Sequence, residues 1–174
     1  YIFLPEIFLN NLNFNDNYLK MENSDTLIHE CIHIIQRKHQ DKFDKIYPKI
    51  FNCFKISNLI ITNKWNKLKM SNPDGLDINW VYKYNNKFYL PLLIFNSYDR
   101  KVKQIIITLK FQQGNYITTS NFQNIYNFIP FRKYPKNISL YHPNEIMAYI
   151  IPKIILGTQQ FNNLSNIHLL INML

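Results

Sequence analysis

Apolar positions along the chain change their period twice, and each change marks a set of elements. From Ser24 to about His39, Leu27, Ile28, Cys31, Ile32, Ile34 and Ile35 recur without Pro or Gly between them, and Asn23, Ser24 and Asp25 offer N-caps. That pattern predicts a helix. A second helical stretch runs from Asp41 to about Phe54, interrupted or kinked around Pro48. Ser71-Asn72-Pro73-Asp74-Gly75 is a turn, and beyond it the period falls to two. Ile78–Tyr84 and Lys87–Phe95 flank Asn85-Asn86, a pair that tolerates left-handed geometry and so predicts a hairpin. Asn96–Arg100 turns into a β-branched run, Val102–Phe111, and Gln112–Asn115 into Tyr116–Thr119. These make an antiparallel meander of three or four strands.

Helical spacing returns at Tyr141-His142-Pro143-Asn144-Glu145. Proline suits the first helical position, where its missing N–H has no partner to lose. Ile146, Met147, Ile150, Ile151, Ile154 and Ile155 give this helix a broad apolar side, with Pro152 as a potential kink and Gly157 as a stop. The ends read as a short apolar strand or helix at Tyr1–Phe14 and an apolar helical stretch from Ile167 onward. The expected architecture is one α+β domain spanning residues 1–174, with a helix packed against an antiparallel meander and a later helix.

The first helix carries His29-Glu30-Cys31-Ile32-His33. Histidines four residues apart lie on one helix face, about 6 Å apart along the axis, so both can reach one zinc ion at about 2.0–2.1 Å. Glu30 then stands beside the metal and can act as the base that takes a proton from water. With five His and four Glu in the chain, accident accounts for only about 0.003 such patterns. Zinc is the expected cofactor and a peptide or protein the expected substrate.

A catalytic zinc needs a third protein ligand. The chain has four glutamates, Glu6, Glu22, Glu30 and Glu145. Glu30 is the base, and Glu22 lies two turns before His29. Glu6 stays open, and Glu145 is favoured because the preset first turn of its helix can hold a carboxylate rigidly. His142 reads first as a capping residue, with ligand and transition-state donor as alternatives. Tyr149 shares the Glu145 face and reads as a core residue or an oxyanion donor. Asp25 is either a cap or an acceptor that orients His29.

These pieces resemble a compact zincin metallopeptidase of the gluzincin type. Leu27-Ile28-His29-Glu30-Cys31-Ile32-His33-Ile34-Ile35-Gln36-Arg37 carries the resemblance, joined by Asn144-Glu145-Ile146-Met147-Ala148 on a later helix. The layout departs from the best-known members, which place most of the sheet before the motif helix and the glutamate soon after it. Small metallopeptidase-like proteins of large DNA viruses are similar in layout and in their AT-rich residue choice. The resemblance implies His29, His33 and Glu145 as zinc ligands, Glu30 as general base, and a substrate extended along an edge strand of the meander. His39 stands six residues after His33, a spacing similar to that of metzincins. Gln36, however, stands where that family places the Gly or Asn that turns the chain back to the metal.

Composition narrows the classes that compete. Three scattered glycines rule out a phosphate-binding glycine loop. No run is apolar enough to span a bilayer, and two cysteines, Cys31 and Cys53, do not make a disulfide framework. Free thiols suit a reducing intracellular compartment, host cytoplasm or virion. The net charge of +9 keeps a basic nucleic-acid-associated protein as an alternative, although the cations are dispersed and form no Arg-rich block. A non-catalytic zinc module is the other alternative, against which the retained Glu30 argues. A deformylase-like hydrolase would need Cys53 as its third ligand.

Overall fold

A computed structural model describes residues 17–71, 77–96, 100–136 and 138–157; the side chains of 17–23 and of Asn96 lie outside the described set. The terminal segments, Glu6, most of the 71–75 turn, part of the 96–100 turn and the helical stretch from Ile167 therefore fall outside the described residues. The chain divides into two compact units, one formed by 1–41 with 146–174 and the other by 42–145.

The helical unit is built on α1 (Asn17–Lys38) and on α4 (Pro143–Ile155), whose body lies in this unit. Helix α1 begins a full two turns before the expected start, which leaves Asn23, Ser24 and Asp25 as interior residues instead of caps. These are mediocre helix formers, but each costs well under about 1 kcal/mol, and no Pro or Gly stops the helix from extending back. Helix α1 closes on Arg37 and Lys38, cations that suit the negative end of its dipole. Ile32, His33 and Gln36 are buried on one side of it. Ile146, Met147, Ala148, Ile150 and Ile151 are buried on α4. An ion pair between Asp25 Oδ2 and Lys153 Nζ, 2.8 Å long, ties the two helices together. Gly157, at φ +64°, ends the run that follows α4, as its position suggested.

The other unit is built on a six-stranded sheet with apolar side chains packed on both faces. Helix α2 (Gln40–Phe51) runs unbroken through Pro48 and gives way to β1 (Cys53–Lys55), so Phe54 lies in a strand and not in a helix. Next come β2 (Leu59–Ile60), α3 (Asn63–Leu68), β3 (Trp80–Tyr84), β4 (Lys87–Asn96), β5 (Lys101–Gln112) and β6 (Asn115–Asn124). The order is β1-β3-β4-β5-β6-β2, with β2 parallel to β6 and every other pairing antiparallel.

Strands β3 to β6 are the expected meander. Asn85 and Asn86 have φ of 47° and 58°, and Gln113 and Gly114 have 49° and 76°; paired positive φ values give the primed turns whose twist matches the strands they join. Strands β1 and β2 were not anticipated. They pair onto the outer strands of the meander at Trp80–Tyr82 and at Tyr116–Ile117, so the meander does not present bare edges along its full length.

Alternation along the strands separates two cores. Leu90, Leu92, Ile105, Ile107 and Leu109 point to one face, against Trp65 of α3. Trp65 is 1% exposed, and its indole N–H donates to the Thr119 carbonyl at 2.8 Å. Tyr82 and Tyr89 point to the other face and pack on Phe131 and Phe128 at 4.7 and 4.8 Å between ring centroids. Gln104 fastens the segment crossing that face by donating to the Ile138 carbonyl and accepting from the Leu140 N–H. Tyr47 of α2 closes the same face, edge-to-face on Trp80 at 5.2 Å.

Leu90 is completely buried in the first of these cores. Leu90→Ala should therefore destabilise the protein by about 2–5 kcal/mol. Denaturant titration should register this as a lower midpoint at an unchanged slope.

Candidate metal centre

Helical periodicity turns His29 and His33 toward the same side of α1. Their rings meet edge-to-face with centroids 4.7 Å apart, and the two Nε2 atoms are 3.0 Å apart. Two nitrogens bound to one tetrahedral zinc would lie about 3.3 Å apart. The pair is thus already near ligand spacing.

The other nitrogen of His33 is fixed. Nδ1 lies 2.8 Å from Gln36 Oε1, and a carbonyl oxygen can only accept, so Nδ1 carries the proton. His33 therefore presents a lone pair at Nε2, the tautomer a metal requires. Gln36 is 2% exposed. The sequence shows Gln36 only as a departure from the metzincin spacer; its i+3 spacing from His33 is the signal for this contact.

The His29 ring hydrogen-bonds the backbone carbonyl of Ala148 on α4. That carbonyl would ordinarily accept from the N–H four residues later, but residue 152 is proline and has none. Pro152 thus leaves the Ala148 carbonyl available to His29 without breaking α4. Burial pushes the His29 imidazole below its ordinary pKa and His33 adds to the effect, while Glu30, the Ala148 carbonyl and Asp25 pull the other way. A neutral imidazole is the form that binds a metal.

Glu145 stands in the first turn of α4, one turn before Ala148, and is 7% exposed. His29, His33 and Glu145 each offer a ligand atom, all within 4.8 Å of one another. Two imidazoles and one carboxyl group form a donor set that could hold a metal ion. Among the described residues neither His39 nor Cys53 joins this group. His39 follows the end of α1, with its amide still bonded to the Ile35 carbonyl at 2.9 Å, and α2 starts at the next residue.

The remaining candidates hold other posts. His142 caps α4, its Nδ1 accepting from the Asn144 N–H at 3.1 Å, while its ring meets Trp80 edge-to-face at 6.2 Å. Asn144 Oδ1 in turn accepts from the Tyr47 hydroxyl at 2.5 Å. Asp25 pairs with Lys153, whose Nζ also lies 5.7 Å from the Tyr149 ring centroid. Burial raises the Tyr149 phenol above its ordinary pKa. Cys31 is half-buried, Cys53 is fully buried, and both are free thiols. Among the described residues, no helix is long and apolar enough to cross a membrane.

Comparison with known families, characterised proteins and solved structures finds no match to this chain.

The two residues that hold the imidazoles give the site its test. Gln36→Leu should weaken metal binding by this group roughly 10–100-fold, measured by competition with a chromogenic chelator. Pro152→Ala, which returns an N–H to the Ala148 carbonyl, should weaken it in the same direction. Neither change touches a ligand atom.

Proposed function

We propose that this chain is a zinc-dependent metallopeptidase of the zincin type, with His29, His33 and Glu145 as ligands and Glu30 as the general base. The observation that carries this reading is the convergence of two imidazoles and a carboxylate within 4.8 Å, although more than one hundred residues separate His33 from Glu145. A structural zinc site is usually closed by four protein ligands, whereas three ligands with an adjacent carboxylate is the composition of a hydrolytic one.

Zinc held there supplies a Lewis acid that polarises a scissile carbonyl and acidifies water. Glu30, next to His29 in sequence, takes the proton from the attacking water and delivers it to the leaving amine. Gln36 and the Ala148 carbonyl keep the imidazoles aimed while this proton moves.

Elemental analysis of the purified protein should find close to one zinc per chain, and a chelator should remove both zinc and peptide hydrolysis. Glu30→Gln should keep the zinc and lose roughly 10²–10⁴-fold in kcat on a quenched-fluorescent peptide library. Glu145→Ala should lose the metal itself. A protein that stays zinc-free after zinc is added back, or a Glu30→Gln variant as active as the wild type, would overturn the proposal.

A further inference from the structure

The two units share the chain's charge very unequally. Residues 42–145 hold sixteen Lys and Arg against five Asp and Glu, a net of +11, while the remainder holds four against six, a net of −2. Cations that look dispersed along the sequence are collected in the sheet unit. Between residues 78 and 144, a single acid, Asp99, stands against nine Lys and Arg.

One face of that sheet also carries aromatic rings its core does not cover. Phe111 is 60% exposed and Phe122 is 53% exposed. Phe111 pairs across strands with Tyr116 at 4.9 Å between centroids, and Tyr116 meets Phe88 at 5.0 Å. Lys83 lies across from Phe88, its Nζ 5.9 Å from that ring's centroid. Phe122 meets Trp65 edge-to-face at 5.2 Å, and Lys64 Nζ stands 4.5 and 5.6 Å from the two ring centroids.

The pairings Phe111↔Tyr116 and Ile107↔Phe122 place both groups on the face that holds Ile107 and Leu109. Four residues of β5 separate the pairings, a span of about 13 Å. A lone exposed phenylalanine needs no explanation. Two on one sheet face, each with an ammonium beside its aromatic cluster, in a body of net +11, have the composition of a stacking platform.

We propose that this face binds single-stranded nucleic acid, with bases stacked on Phe111 and Phe122 and phosphates neutralised by Lys64, Lys83 and the surrounding excess of cations. The net charge selects a polyanion. The separation of the rings into two clusters selects discrete stacking positions, because insertion into an anionic bilayer would favour one continuous apolar patch. No residue of this face belongs to the candidate metal centre, so the proposal does not depend on the peptidase reading.

Fluorescence anisotropy of a labelled 20-nucleotide oligothymidylate with the full chain tests it, in about 50 and 200 mM salt. Binding should weaken steeply with salt, and Phe111→Ala and Phe122→Ala should each weaken it roughly 5- to 100-fold at fixed salt. Phe111→Tyr, which keeps a ring, should retain affinity and separates stacking from any loss of folding. Lys64→Ala and Lys83→Ala should each flatten the log–log salt dependence by about 0.7. Absence of binding in the lower salt would overturn the proposal. So would equal affinity for a duplex together with indifference to Phe111→Ala and Phe122→Ala. Sedimentation with phosphatidylserine vesicles, without oligonucleotide binding, would reassign the face to an anionic membrane.

Discussion

Two imidazole nitrogens held 3.0 Å apart are the constraint from which the helical unit's chemistry follows. His33 is committed through Nδ1 to Gln36, so its Nε2 faces His29 with a lone pair. That contact is favourable only if a proton or a cation lies between the rings. Burial holds the His29 imidazole below its ordinary pKa, which favours the neutral ring. Every other feature of the site works on this contact. Gln36 fixes one ring, the Ala148 carbonyl steadies the other, and Glu145 brings a carboxyl oxygen within 4.8 Å of them.

Pro152 illustrates how the sequence holds information that local rules misread. Taken by itself, a proline inside a helix predicts a kink or a stop. In α4 the helix continues to Ile155, and the missing N–H instead leaves the Ala148 carbonyl to a partner on α1. The loss of one helical bond is then offset by a side-chain bond at the centre of the site. No windowed reading of residues 143–157 could reveal this, because the acceptor's partner is more than one hundred residues away.

Elements with their own period were legible, and those defined by a neighbour were not. The motif helix, the Asn85-Asn86 hairpin, the meander and the Pro143 helix all announce themselves in local spacing and turn chemistry. By contrast, β1 and β2 are three and two residues long and are strands only because β3 and β6 pair with them. The start of α1 was misplaced for a related reason. Asn, Ser and Asp cap helices readily, yet they also sit within them when the helix extends past them at little cost. In the cluster, His29 and His33 were readable from spacing, and Glu145 from the scarcity of carboxylates together with its position after a proline. Gln36 was legible only as a departure from the metzincin spacer, because a glutamine carries no intrinsic metal chemistry and its contact is with the ring it holds.

The charge distribution is the larger instance of the same effect. A count along the chain finds lysines everywhere, whereas a count by compact unit finds them gathered around the sheet, because residues 42–145 form one body between two segments of the other. The sheet unit must then carry about eleven uncompensated charges. Self-repulsion of that size works against compactness. Here it is opposed by two hydrophobic layers, one on each face of the sheet, whose central residues are almost wholly withdrawn from water. A body with so firm a core can tolerate a surface that favours polyanions. It can also expose Phe111 and Phe122 without losing its fold, since the residues opposite them, Tyr116 and Ile107, are anchored by the layers beneath. The interior of the sheet unit is what permits its surface chemistry, and that chemistry uses none of the atoms that would hold a metal.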